Sequence, residues 1–138
     1  MAYKLLLKEL DVTNVSQNYC NWLNDYEVTK FTEQKYFKHN LNSVKKFVKN
    51  KKMSKNEYLY GIFIYKNNKK VHIGNIKIGP INFRHKYTEI SYFIGNRHFW
   101  GLGIGTLAIK KILLICKRRF KLKKIVAGCY ENNLGSIK

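Results

Sequence analysis

The chain changes its hydrophobic period several times, and each change marks an element. Tyr3 to Glu9 reads as a first strand. From Val12 to Asp25 the residues Val15, Tyr19, Trp22 and Leu23 recur at helical spacing, which predicts an amphipathic helix. Tyr26 to Asn40 is polar and aromatic without a period, and Asn42 then reads as the N-cap of a second helix with Val44, Phe47 and Val48 as its buried stripe. Two runs rich in aromatic and β-branched residues follow, Tyr58 to Tyr65 and Val71 to Ile78, joined by Lys66-Asn67-Asn68-Lys69-Lys70. That pattern predicts a hairpin. Gly79-Pro80 stops the second run, Tyr87 to Ile94 alternates as a further strand, and Gly95-Asn96 ends it. Ile104, Ala108, Ile112, Ile115 and Cys116 form one face of a long third helix, with Lys110, Lys111, Lys117 and Arg118 on the other. Lys124 to Tyr130 predicts a fifth strand. The order is β-α-α-β-β-β-α-β, an α/β (α+β) chain with no internal repeat or low-complexity segment.

The third helix is entered through Phe99-Trp100-Gly101-Leu102-Gly103-Ile104-Gly105-Thr106. Three alternate glycines let the backbone turn tightly and lie close to a ligand. The first amides of a helix have no partner within it, and the helix dipole adds partial positive charge there. Together these features suit a phosphate or diphosphate. A P-loop would need a Lys-Ser/Thr pair after its last glycine, but Thr106 follows Gly105 directly. A dinucleotide fold needs an acid about 20 residues on, and Leu122-Lys123-Lys124-Ile125-Val126 contains none. A plain strand-to-helix turn is the bland alternative.

At 138 residues the chain is long enough for one domain and one core, and 45% hydrophobic with 14% aromatic residues argues against disorder. No stretch of about 18 apolar residues occurs, so no membrane-spanning helix is expected. The start, Met1-Ala2-Tyr3-Lys4-Leu5, then Lys8, Glu9 and Asp11, is a poor signal peptide because its apolar core is too short. A net charge of +19 invites a nucleic-acid reading. Yet of 27 basic residues only Arg84, Arg97, Arg118 and Arg119 are arginine, the residue such recognition favours, and the lysines are dispersed. A low-GC coding bias explains abundant Lys, Asn, Ile and Tyr equally well; steering of an anionic ligand is the functional alternative. Cys20, Cys116 and Cys129 are far apart and odd in number, as expected of free thiols in a reducing cytoplasm. The histidines at 39, 72, 85 and 98 are not clustered, so no metal site is expected.

The glycine segment resembles the acetyl-coenzyme A loop of the GCN5-related N-acetyltransferases, Gln/Arg-x-x-Gly-x-Gly/Ala, with Gly103 and Gly105 as the motif glycines. Trp100 stands at the Gln/Arg position. It is similar to the Trp-Gly-Lys-Gly-Ile/Tyr-Ala-Thr variant of the branch holding ribosomal-protein N-terminal and sugar N-acetyltransferases, with Leu102 replacing the lysine and its phosphate contact. The element order matches that family through strand five. The resemblance implies a mixed, mostly antiparallel central sheet flanked by helices, as a single domain over residues 1–138. Family members continue with a further helix and strands, so the fold is expected to be truncated after strand five. The family's thiolate-protonating Tyr has no counterpart, and the fifth strand's edge invites pairing with a partner, a homodimer among the possibilities.

Roles follow from the resemblance. Amides from Gly101 through Leu102, Gly103, Ile104 and Gly105 to Thr106 would hold the diphosphate of acetyl-CoA, the cosubstrate. Pantetheine would lie along the fourth strand, pairing near Phe93 and Ile94, where an amide could also stabilise charge on the thioester oxygen. Asn133 and Ser136, in Glu131-Asn132-Asn133-Leu134-Gly135-Ser136, resemble the family's Asn-x-x-Ser/Ala contact to pantetheine; a helix cap or turn is the alternative. Glu89 is the candidate general base, mid-strand amid residues suited to a buried sheet, with a solvent-facing or salt-bridged glutamate as the alternative. Trp22-Leu23-Asn24-Asp25-Tyr26-Glu27-Val28 resembles the branch's acceptor segment. Trp22, Asp25, Glu27 and Phe31 are its candidate acceptor contacts; otherwise Asp25 closes the helix and the aromatics are core. The activity implied is direct acetyl transfer to a primary amine, of a nucleotide-linked amino sugar by preference, with a protein N-terminus or a non-catalytic CoA-binding module as alternatives. No nucleic-acid partner is favoured.

Overall fold

The computed structural model describes residues 4–30 and 38–127. Strand β1 spans Leu5–Glu9, and a 3-10 turn over Val12–Asn14 leads to helix α1, Gln17–Asn24. The single helix expected over Val12 to Asp25 is thus broken. Asp11 and Ser16 each cap a separate start, accepting from the Thr13 and Tyr19 amides. Asp25 caps again, opening a four-residue helix α2, Tyr26–Thr29, where no element was expected. Helix α3 runs Leu41–Met53, and its cap is Asn40 rather than Asn42: Asn40 and Ser43 exchange side-chain-to-amide hydrogen bonds, so the helix starts where both ends of that box close.

Strands β2, Tyr58–Lys66, and β3, Lys69–Ile78, extend closer together than the sequence suggests. Their connection is the pair Asn67-Asn68, at φ 51° and 63°. Asn tolerates this left-handed geometry, and such turns match the twist of the flanking strands. Strand β4, Tyr87–Ile94, has the expected bounds; helix α4 runs Ile104–Arg118 and strand β5 Lys124–Ala127, the rest of the expected fifth strand lying outside the described residues.

The sheet has five strands in the order β1-β2-β3-β4-β5, antiparallel except for the parallel β4–β5 pair. This is the mixed, mostly antiparallel sheet implied by the resemblance. Alternation along the strands sends side chains to two cores. On one face α4 buries Ile104, Ala108, Ile109, Ile112 and Cys116 against Ile62, Ile64, Ile73, Ile76 and Ile90. On the other, α1 and α3 bury Tyr19, Cys20, Leu23, Val44 and Val48 against Leu59 and Phe63. Each buried Ile, Leu, Val or Phe among them contributes roughly 1.5–3 kcal/mol of transfer free energy. Cys20 and Cys116 are free thiols, and burial pushes the Cys116 thiol up to about 11.

Candidate functional site

Past β4 the chain makes a 3-10 turn over Arg97–Phe99, capped by the Asn96 side chain on the His98 amide. Phe99 and Ile104 are buried and pin the two ends of the glycine segment to the core. Between them Gly101 and Gly103 adopt φ 74° and 76°, a conformation that L side chains rarely take. A Cβ on either would meet no atom within 4 Å, so their side of the loop faces open space. Gly105 differs: a Cβ there would stand 2.7 Å from the Tyr92 hydroxyl. Gly103 caps α4 without a side-chain bond, no acid stands in its first turn, and the first helical bond runs from the Leu107 amide to the Gly103 carbonyl at 3.1 Å. Open amides therefore converge at this helix start with the positive end of the dipole.

The loop forms one wall of a cleft of about 440 Å³. Phe93, Ile94, Gly101, Gly103, Ile104, Gly105 and Thr106, all expected to hold the cofactor, line it. Leu102 is half exposed and is not part of that lining. The facing wall is Glu27, Val28 and Lys30, from α2 and the residue after it. Asn133, Ser136 and Phe31 lie outside the described residues.

The β4 edge in the cleft can be read from its hydrogen bonds. The Gly79 amide donates to the Glu89 carbonyl at 2.9 Å and the Gly95 amide to the Ile73 carbonyl at 2.7 Å, so odd-numbered residues of β4 turn their backbone groups to β3. Even-numbered residues face the other way. The described pairing with β5 covers Tyr87 to Ile90, which leaves the backbone groups of Tyr92 and Ile94 on an edge with no described strand beside it. Phe93, expected to pair with a ligand through its backbone, instead directs that backbone to β3; a Cβ on Gly74 would stand 2.2 Å from the Phe93 carbonyl oxygen. Its ring packs on Trp22 at 6.5 Å.

Glu89 shares the sheet face of Phe93 but is exposed, contrary to the buried setting expected of it. Among the described residues, α1 meets β4 at Phe93, where the Trp22 ring packs. The Tyr87 hydroxyl lies 3.4 Å from Glu89 Oε1. Some loss of hydration, and then the adjoining Glu89 carboxylate, push the Tyr87 phenol above its ordinary value. Glu89 lies outside the cleft lining, about 10 Å along the strand from Tyr92.

On the facing wall, Asp25 is not a free carboxylate. It accepts from the Glu27 amide at 3.0 Å, capping α2, and both its oxygens take Arg97 Nη2 at 2.7 Å. Glu27 is paired with Lys30 at 2.9 Å. Trp22 belongs to an aromatic cluster with Tyr19, His72 and Phe93, at 6.2, 5.1 and 6.5 Å, and does not line the cleft. Three contributors were not singled out from sequence: Tyr92, Lys30 and Arg97. For Arg97 a signal existed, as it is an arginine just before the glycines in a chain whose basic residues are mostly lysine. Among the described residues no His/Cys/Asp/Glu group could hold a metal, and no helix is long and apolar enough to cross a membrane.

Comparison with curated protein sequences returns no match. Among solved structures, a domain from Methanocaldococcus jannaschii is similar at a TM-score of 0.79 and 19% identity, covering 99% of this chain and 84% of that one. Spermidine N-acetyltransferase from Vibrio cholerae, solved in complex with CoA and spermine, is similar at a TM-score of 0.75 and 18% identity, covering 89% of this chain and 69% of that one. A chimera of that enzyme reaches a TM-score of 0.72 at 20% identity, over 89% of this chain and 69% of its own. These likenesses establish the fold. The acetyltransferase (GNAT) domain family matches residues 4–138, and with its glycine loop, uncapped helix start and strand edge in place, the chain belongs to that family.

Proposed function

We propose that the protein transfers the acetyl group of acetyl-CoA directly to a primary amine, and that the amine belongs to a small anionic molecule such as a nucleotide-linked amino sugar. The observation that carries the first part is the uncapped α4 start opening into the cleft beside the β4 edge. A diphosphate suits those amides, and the space beside Gly101 and Gly103 is what close approach to backbone requires. The Tyr92 N–H and C=O and the Ile94 N–H suit the amides of a pantetheine arm. Acetyl-CoA supplies an activated thioester. The chain's part is to orient it, to offer amides where charge develops on the thioester oxygen, and to take a proton from the amine so that its neutral nitrogen attacks. The C–S bond then breaks and CoA leaves as the thiol, protonated from water. Glu89 is the base, reached directly or through water on the exposed sheet face.

Charge argues for the acceptor. Both carboxylates of the α2 wall are engaged by cations, and the chain carries a net +19. A polycation such as the spermine of the Vibrio cholerae complex would meet little free negative charge there, whereas an anionic acceptor would be drawn in. The deciding experiment incubates the protein with acetyl-CoA and, separately, nucleotide-linked amino sugars, peptides with free N-termini, and polyamines, following thiol release and acceptor mass. Turnover of the amino sugars is expected. Turnover of peptides or polyamines alone overturns the acceptor assignment, and cofactor binding without turnover of any amine overturns catalysis.

A further inference from the structure

Arg97 and Asp25, separated by 72 positions in sequence, pair with each other, each two residues from a cleft-lining residue, Phe99 and Glu27. Asp25 is the N-cap of α2, so its position sets where Glu27, Val28 and Lys30 stand. The Arg97 guanidinium that bridges its two oxygens also lies over the Trp100 ring at 5.5 Å, and the Trp100 indole N–H donates to the Ile94 carbonyl at 2.6 Å. A continuous chain of contacts therefore runs from the α2 cap, through Arg97 and Trp100, to the last residue of β4. It runs through Trp100, the residue before Gly101, where a Cβ on Gly101 or Gly103 would meet no atom within 4 Å.

We propose that Arg97 and Trp100 are positioning residues forming a brace anchored on Asp25, which holds the glycine loop at a fixed spacing from the α2 wall. Phe99 and Ile104 pin the ends of the loop in depth. The brace adds a lateral link, from Arg97 beside the loop to Asp25 at the α2 cap. Because Asp25 serves both the α2 cap and Arg97, a shift on one wall is transmitted to the other. Trp100 also occupies the Ile94 carbonyl, the edge acceptor closest to the loop, and so ties the loop to the strand end along which a ligand would lie.

The brace itself is testable without any ligand; its effect on binding rests on the acyltransferase reading. Asp25→Asn keeps a good N-cap and removes the charge. Arg97→Met removes the charge and keeps length. Both sites are partly exposed, so neither change threatens folding. Amide hydrogen exchange over residues 98–106 and 26–29 of the unliganded protein is expected to quicken about threefold in each single variant, the scale of an exposed ion pair. The double variant is expected to match the singles. Trp100→Phe should loosen 98–106 while sparing 26–29, and Arg97→Lys, which keeps the charge but loses the flat stack, should fall between wild type and Arg97→Met. Acetyl-CoA Kd by calorimetry, and KM for the acceptor, should rise about threefold with kcat unchanged. Unchanged exchange in the single variants, or additive effects in the double, overturns the brace whatever happens to binding. Exchange that responds as expected in a protein that ignores acetyl-CoA keeps the brace and overturns the acyltransferase reading.

Discussion

Glu89 and His72 are both titratable, and their surroundings give them opposite uses. Glu89 stands on an open strand face with access to bulk water, and the proposed function makes it the base. Glu89→Gln is expected to lower kcat about 10²-fold, the low end for a general base because water competes with an exposed one, while leaving acetyl-CoA affinity intact by calorimetry. An unaltered rate across the pH range would remove Glu89 from the mechanism. His72 is packed between Phe63, Tyr19 and Trp22, with Nε2 2.9 Å from the Gly74 carbonyl and 2.7 Å from Asn75 Oδ1, so Nε2 carries the proton. Burial pushes the imidazole below its ordinary 6.5, and these two bonds only partly offset it. The folded protein thus binds fewer protons than the unfolded chain just below that value. Stability is full above 6.5 and declines as pH falls towards the lowered value. Thermal denaturation should show this slope, and His72→Gln should flatten it. The loss due to Glu9 and Glu57, both held below the ordinary 4.5, should persist at lower pH. Nothing in the sequence distinguished these two settings, because a strand residue's identity does not say which face a distant helix will cover.

Among the elements, those with a strong local pattern were legible and those decided by caps were not. β4 has the expected bounds because Tyr87 to Ile94 alternates between two clear punctuators. The expected first helix breaks because Asp11, Ser16 and Asp25 each offer a competing start, an outcome that periodicity averages over. Gly95, read from sequence as a simple strand end, is also the floor on which α1 rests. A Cβ there would stand 2.1 Å from the Trp22 ring. Gly95→Ala should therefore push Trp22 outward and destabilise by about 1–3 kcal/mol, seen as a Tm lower by about 3–10 °C with the chain still folded. An unchanged Tm would mean that α1 can slide on the sheet.

For the molecule as a whole, the glycine loop and its helix were legible because they are contiguous, as was the family. The opposite wall of the cleft was legible only as a list of residues. That Asp25 and Glu27 are engaged by Arg97 and Lys30 depends on tertiary contacts that no local pattern encodes. Those pairings leave the overall positive field as the main electrostatic influence on a ligand. At saturating acetyl-CoA, kcat/KM for an anionic acceptor should fall about tenfold between about 0.01 M and about 0.15 M salt, while a neutral acceptor should change little. Equal salt dependence for both would mean that the dispersed lysines play no part in capture.

The two tryptophans sit in unlike surroundings: Trp22 is wedged among rings over the sheet, and Trp100 is 41% exposed at the cleft rim with a cation on its face. Their emission should therefore separate, bluer for the first and redder for the second. A molecule settling between the loop and α2 would dim or shift the red component alone, so occupancy can be followed optically, without a label, in the native chain.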